Sequence, residues 1–226
     1  MHPITARLCV DINIFMADLL SKKTGIRPTA VSQIIQWVDE ARFPGGAVQL
    51  VVSIPMLEQW ENVLLRHFNV TPEDAAAMAD GLYDLAENGP EGEPPHLILG
   101  SDFLPFVSEK DMYAAMETHT TMRPSARVKK LFDENEDDRY VLLTALAGRA
   151  DLLITTNMGD FRRGVVQDFD REDMFIISHA HHDLVVAKPF FAAYWLRQGC
   201  LPNAAYLYAN PGVFGDPVSI DLRRKS

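Results

Sequence analysis

Short apolar runs recur along the chain, separated by stretches in which apolar residues return every third or fourth position. Runs without a polar side are typical of strands that are buried on both faces of a sheet. They predict strands at 6–10, 48–52, 96–99, 151–155 and 174–177.

The intervening spacing is that of one apolar face of an α-helix. It predicts helices at 14–22, from 29 to the Pro/Gly turn at 44–46, at 55–68, 71–88, 138–149 and 189–198. The start at Thr71 is well marked, because Pro72 and an acidic first turn follow a capping residue. Residues 101–134 carry weaker helical patterns, and 199–226 have no strong period.

Strands that alternate with helices indicate a parallel sheet covered on both faces. We therefore expect a three-layer α/β/α fold over residues 1–178, interrupted by an insertion at about 101–134. Residues 179–226 are expected to form a C-terminal extension that packs on this domain or on a partner.

Polar residues follow the predicted strands at the edge where such sheets bind ligands. Asp11 ends the first apolar run, Ser53 follows the second, and Thr155 to Asn157 follow a later one. Asp137 and Asp138 begin a helix. Carboxylates brought together repel one another unless a cation lies between them, so the pattern predicts a Mg²⁺ or Mn²⁺ site of the kind that serves phosphate chemistry.

Composition narrows the class of protein. The chain has 226 residues, 47% of them hydrophobic, which is enough for a substantial core. Its net charge of −10 argues against a general nucleic-acid coat protein but is compatible with a nuclease whose acids hold metal. No apolar stretch could span a bilayer, no secretory signal is visible, and Cys9 is expected in the core, so we expect a cytoplasmic protein without a membrane partner.

Four segments, in this order and spacing, resemble a PIN domain, the metal-dependent ribonuclease fold of VapC-type bacterial toxins. They are 10–13, 50–66, 137–142 and 150–157. The resemblance covers roughly residues 7–178. It implies a PIN-like three-layer fold, an endoribonuclease that acts on single-stranded RNA with Mg²⁺ or Mn²⁺, and a protein antitoxin as a possible partner.

The resemblance also implies roles for individual residues. Asp11 matches the first metal-binding acid, and Asn13 the polar residue that orients it. The glutamate of the family falls on Gln59 by counting, with Glu58 beside it. We favour Glu58 because a carboxylate binds a metal ion better than an amide, although the two side chains point about 100° apart on a helix.

The remaining acids of the family fall near two helix starts. The third acid is Asp138 or Asp137, of which Asp138 fits the spacing better. The fourth position is Asn157, and Asp160 is a candidate to replace it. The resulting hypothesis has Asp11, Glu58, Asp138 and Asp160 as catalytic acids. Ser53, Gln59 and Thr155, with Asn13, orient the ligands.

Structural explanations compete with these functional ones. Asp11 could cap the first helix, the acids at 137 and 138 could be ordinary first-turn residues, and Thr155 could be a core threonine. Gln59 and Asn157, as neutral residues at acid positions, leave open a degenerate PIN module that binds RNA or a partner without cleavage.

A histidine-rich segment at 178–183 offers a different chemistry. His179, His181, His182 and Asp183 are similar to a zinc motif of metallo-β-lactamase-like hydrolases, but Leu184 stands where that motif has its last histidine. A polar loop is the favoured interpretation, and a zinc hydrolase is the remote alternative.

Two further groups of side chains bear on partners. A basic group in the interrupted region is either a solvated helix face or a contact for RNA phosphates: Arg123, Arg127, Lys129 and Lys130. Aromatic residues crowd the last predicted helix and the segment after it: Phe190, Phe191, Tyr194, Trp195, Tyr206 and Tyr208. Aromatic surface left exposed there would favour a symmetric homodimer.

Overall fold

The computed structural model describes residues 4–25, 29–90, 97–98, 136–162, 170–171, 173–179 and 182–209. Its strands are β1 (Ile4–Val10), β2 (Arg42–Phe43), β3 (Gly46–Ser53), β4 (Leu97–Ile98), β5 (Leu152–Ile154), β6 (Asp170–Arg171), β7 (Met174–His179) and β8 (His182–Ala187). Its helices are α1 (Ile12–Thr24), α2 (Ala30–Asp39), α3 (Ile54–His67), α4 (Pro72–Glu87), α5 (Glu136–Ala147), α6 (Met158–Arg162), α7 (Pro189–Arg197) and α8 (Ala204–Ala209).

The strands form one mixed sheet in the order β2-β3-β1-β5-β8-β7-β6, with β4 also paired to β3. β4, β3, β1, β5 and β8 run parallel, while β7 is antiparallel to β8. Helices flank the sheet: α2 packs on α1 and α7, and α3, α4 and α5 form a second group. This is the predicted three-layer α/β/α fold.

The buried strands explain why the sheet lies at the centre. Apolar side chains from Leu8 to Val10, from Leu50 to Val52 and from Leu152 to Ile154 are all buried. Strands covered on both faces need such runs, because neither face reaches water. The apolar pattern therefore predicted these strands to within about two residues at most ends.

Threonine hydroxyls cap the starts of two helices, and the cap at Thr71 was predicted. Thr29 accepts from the backbone N–H of Ser32 at 3.3 Å, and Thr71 accepts from that of Asp74 at 3.1 Å. Each hydroxyl satisfies a backbone donor that has no partner within its helix.

The C-terminal part of the chain differs from the prediction. β8 lies inside the sheet between β5 and β7, and the boundary placed at residue 178 falls within β7. The polar loop expected at 178–183 is wrong for the described part of that segment, because His179 and His182 are paired residues of β7 and β8. α7 agrees with the predicted helix, and α8 was not predicted.

Asp151 marks the amino-terminal edge of the parallel strands, opposite the predicted site. Its carboxylate accepts from the backbone N–H of Arg7 at 2.8 Å, and its own N–H donates to the Arg7 carbonyl at 2.8 Å. The residue therefore joins β5 to β1. Within the described ranges, no helix is long and apolar enough to cross a membrane.

Candidate functional site

Asp11 lies where β1 ends at the carboxyl edge of the sheet. Its backbone N–H donates to the Ile154 carbonyl of β5 at 3.0 Å, and its carbonyl accepts from Ile14 at 2.9 Å. The residue therefore closes the β1–β5 pairing and begins α1. Only 2% of its surface is exposed, which is unusual for an ionisable side chain.

Neutral donors from two elements hold the Asp11 carboxylate. The Thr155 hydroxyl donates to Oδ2 at 2.5 Å. Asn13 donates from its backbone N–H to Oδ1 at 3.2 Å and from its side-chain amide to Oδ2 at 3.4 Å. Asp11 thus caps α1, and in the same position it presents a fixed carboxylate between β1 and β5.

A second layer of hydrogen bonding fixes Thr155. Its hydroxyl oxygen accepts from the Asn157 backbone N–H at 2.9 Å, and its own N–H donates to the Ala187 carbonyl of β8 at 3.2 Å. Thr155 is fully buried. It is therefore a core threonine whose hydroxyl also donates to Asp11, and its role as a ligand-orienting residue stays a prediction.

α5 begins at the same edge. The Val141 carbonyl lies 3.7 Å from the Cys9 sulfur of β1, while at the other end of the helix the Gly148 carbonyl accepts from the Arg7 guanidinium. The helix therefore runs from the carboxyl edge towards the amino edge. Its first turn, which carries Asp137 and Asp138, extends past Val141 on the side where Asp11 follows Cys9.

Ser53 and Thr144 join α5 to the end of β3. Their hydroxyl oxygens are 2.7 Å apart, and the Thr144 hydroxyl donates to the Tyr140 carbonyl at 2.6 Å. Both side chains are fully buried. Ser53, which was predicted to orient a ligand, makes its described hydrogen bond to Thr144 and so positions α5. Sequence reasoning missed Thr144, because one threonine in an apolar helix gives no signal of its role.

The environment of Asp11 has a low dielectric constant. Burial raises the pKa of the Cys9 thiol, and the nearby charge of Asp11 raises it further. Cys9 is fully buried, so it is the core residue that the sequence predicted. Charges interact more strongly in such an environment than in water.

The two candidates on α3 differ in burial. Glu58 is exposed; Asn62, one turn later, donates its side-chain amide to the Glu58 carbonyl at 2.9 Å. Gln59 is half-buried, and its Oε1 is a buried oxygen without a hydrogen-bond partner among the described residues. The next residue, Trp60, packs against Phe15 near the start of α1, with ring centroids 5.8 Å apart. Burial thus favours Gln59 over Glu58 as the residue that faces inward.

The remaining predicted acids are placed by their backbone. Asp160 lies in α6, which follows β5 at the carboxyl edge, and Asn157 precedes that helix with a half-buried side chain. The side chains of Asp137, Asp138 and Asp160 lie outside the described residues. Among the side chains that are described, no group of three or more His, Cys, Asp or Glu could hold a metal ion. The four-acid site therefore stays a prediction.

The histidine segment lies at the other edge. β8 runs parallel to β5, with Leu152 opposite Val185, so His182, at the start of β8, is at the amino edge, far from the strand end occupied by Asp11. Asp183 is exposed. His181 and the basic group at 123–130 lie outside the described residues.

The chain was compared with models of protein families, with curated proteins and with solved structures, and none of them matches.

Proposed function

We propose that this protein is a metal-dependent ribonuclease of PIN type that cleaves phosphodiester bonds in single-stranded RNA. The observation that carries the proposal is the Asp11 carboxylate, which is buried at the carboxyl edge and held by Thr155 and Asn13. Capping of a helix does not require a buried charge, and burial of a charged group costs free energy. Capping alone therefore does not account for a buried carboxylate at this position.

A hard divalent cation would be bound through the Asp11 carboxylate. Mg²⁺ and Mn²⁺ prefer oxygen ligands of this kind. Thr155 and Asn13 donate hydrogen bonds to the carboxylate and so fix its orientation. Asp11 and Asp138 would hold one ion, with Asp137 next to them at the start of α5.

The predicted site residues would have different roles in the reaction. Thr155 and Asn13 keep the Asp11 carboxylate in one orientation, and Asn157 supports Thr155 through its backbone N–H. Asp160, together with Gln59 or Glu58, would position the attacking water. A bound divalent ion would supply activation of water and neutralisation of charge on the phosphate and the leaving oxygen.

A binding-only PIN module is the second candidate. It is favoured by the neutral amide of Gln59, whose Oε1 is the buried atom, while the adjacent carboxylate of Glu58 is exposed. A site with fewer charged ligands binds divalent ions more weakly. Such a protein would still recognise RNA or a protein partner, such as an antitoxin, at the same edge.

The test compares wild type with two variants on an unstructured RNA in the presence of Mn²⁺ or Mg²⁺. Wild type is expected to cut, and EDTA to stop it. Asp11→Asn keeps the size and the capping ability of the side chain but removes its charge, so cutting should fall by more than about 100-fold. The matched control is Asp183→Asn, an exposed acid at the opposite edge, which should cut normally.

Three outcomes separate the candidates. If wild type binds RNA but never cuts it, the binding module is correct. If Asp11→Asn cuts as well as wild type, the activity belongs to another site or to a contaminant. If stoichiometric zinc is found and is removed by changing His179, His181 and His182 together to alanine, the zinc hydrolase takes the place of both.

A further inference from the structure

Tyr140 lies in the part of α5 that is nearest to the carboxyl edge of the sheet. Its carbonyl accepts from Thr144, which is hydrogen-bonded to Ser53 at the end of β3. The next carbonyl along the helix, that of Val141, lies beside Cys9, two residues before Asp11. These contacts place the Tyr140 backbone at the carboxyl edge between β3 and β1, within the first two turns of α5.

The side chain of Tyr140 is exposed, unlike the other described side chains of α5. Residues 141–145, which follow it, are all buried, whereas 43% of the Tyr140 surface is accessible. Tyr206 is exposed to the same degree, 44%, but it belongs to α8. The neighbouring Ala204 and Ala205 line a cavity with Asp151 and Asp183, so α8 lies at the opposite, amino edge of the sheet.

The net charge of −10 restricts how RNA could be held here. A negatively charged protein gains little from long-range attraction to phosphates. Stacking of bases on aromatic rings does not depend on that attraction, and it is the usual way in which proteins grip single-stranded RNA. An exposed tyrosine at the edge that holds Asp11 provides such a ring.

We propose that the ring of Tyr140 is a platform on which one base of a single-stranded RNA stacks next to the phosphate presented to Asp11. The proposal rests on the proposed function for its substrate class, and it assigns Tyr140 a positioning role, not a catalytic one. The base adjacent to the scissile bond would then be read by stacking, without hydrogen bonds to its edges.

The test measures binding of a fluorescently labelled RNA decamer to the full chain by anisotropy, with Ca²⁺ as a hard oxygen-binding cation in place of Mn²⁺, and a gel of each sample confirms that the decamer stays intact. Tyr140→Ala should raise Kd by about 5- to 100-fold, the range expected for loss of one stacked base. Tyr140→Phe keeps the ring and should bind within about twofold of wild type. Tyr206→Ala, the equally exposed tyrosine at the other edge, should bind like wild type.

A series of decamers, each with one abasic position, makes the assay specific for stacking. At one position in the series, loss of the base should weaken binding to wild type down to the level of Tyr140→Ala. Loss of the same base should not weaken binding to Tyr140→Ala any further. If every abasic position weakens binding equally, Tyr140→Ala reduces affinity by disturbing the fold and not by removing one stacked base. Thermal unfolding of each variant checks this independently. Unchanged binding by Tyr140→Ala, or no binding of RNA by wild type, overturns the proposal.

Cleavage assays separate this inference from the proposed function. If wild type cuts RNA with Mn²⁺ and Tyr140→Ala has the same KM, the stacking role is wrong and the ribonuclease stands. If the abasic series shows the stacking pattern but no RNA is cut, Tyr140 holds RNA in a binding module and the ribonuclease is wrong.

Discussion

At the scale of single residues, the pair formed by Asp11 and Thr155 links the core to the candidate site. The hydroxyl of Thr155 donates to Asp11 Oδ2 at 2.5 Å, and both side chains are buried. A hydrogen bond to a buried charged group contributes about 1.5–3 kcal/mol. Groups that orient a metal ligand typically change metal affinity by about 10- to 100-fold when they are lost.

Thr155→Val is therefore expected to lower the free energy of unfolding by about 1.5–3 kcal/mol and to weaken Mn²⁺ binding at least tenfold. Valine keeps the shape of threonine but cannot donate to the carboxylate. Denaturant unfolding and titration calorimetry measure the two effects.

Thr155→Ser is the matched control, because serine keeps the hydroxyl and loses only a buried methyl group. It should cost about 1 kcal/mol of stability and leave Mn²⁺ affinity within about twofold of wild type. If serine and valine weaken Mn²⁺ binding equally, the hydroxyl does not orient Asp11 for the ion.

Candidate site residues that follow strands could be recognised in the sequence. The sequence could not decide between neighbouring candidates on a helix. Asp11 and Thr155 each follow an apolar run, so their shared edge follows from the parallel sheet. Glu58 and Gln59 differ by one helical step, and the phase of α3 depends on how Trp60 packs against Phe15. Tertiary packing of this kind leaves no trace in local composition.

At the scale of elements, the central strands were predictable, while the hairpin of β7 and β8 was predicted only in part. Met174 to Ile177 form a clear apolar run, but β8 begins with His182 and Asp183, and its buried apolar run is short, from Leu184 to Ala187. A strand with a polar start next to a histidine-rich segment resembles a loop in sequence. α8 was missed because its six residues are too few for a helical period to be visible.

The packing of α4 against β3 depends on a glycine. Gln49, fully buried in β3, donates to the carbonyls of Ala86 at 2.9 Å and Leu50 at 3.0 Å, which ties the end of the helix to the strand. A Cβ added at Gly89, just after α4, would lie 1.6 Å from Gln49 Oε1. The side chain of Gln49 would have to give up this position.

Gly89→Ala is accordingly expected to lower the free energy of unfolding by about 1–3 kcal/mol, the usual cost of overpacking. Gly81→Ala, in the middle of the same helix, has nothing within 4 Å of the added Cβ and should raise stability by about 0.5–1 kcal/mol. Urea unfolding of both variants gives the comparison, and a neutral Gly89→Ala would mean that Gln49 does not fix α4.

At the scale of the whole molecule, the aromatic side chains of α7 are more deeply buried in the core than the sequence predicted. Phe191 and Trp195 are buried, with ring centroids 6.1 Å apart, while Phe190 and Tyr194 are half-buried. The side chain of Tyr208 lies outside the described residues. The aromatic surface left for a partner is thus smaller than the composition of α7 suggests.

The homodimer stays a prediction, and among the described aromatic side chains of this segment Phe190, Tyr194 and Tyr206 are the ones that remain at least partly exposed. Light scattering at micromolar concentration is expected to give twice the 25.3 kDa mass of the chain. A mass that stays at 25.3 kDa as the protein is concentrated would rule the dimer out.

The proposed metal site would also affect the stability of the entire domain. An ion that binds only the folded chain stabilises it by mass action, by about 2.7 kcal/mol at a concentration one hundred times Kd. For a domain of this size that corresponds to a rise in Tm of about 5–10 °C. We therefore expect saturating Mn²⁺ to raise the Tm of wild type by this amount and EDTA to reverse it.

Asp11→Asn should abolish this rise, because it removes the charge of the buried carboxylate at the end of β1. Asp183→Asn should keep it, since that acid is exposed at the opposite edge. Differential scanning calorimetry of the three proteins with Mn²⁺ and with EDTA distinguishes the outcomes. An equal rise in all three would mean that Mn²⁺ binds elsewhere, and the ribonuclease proposal would then lose its metal site even if the fold is correct.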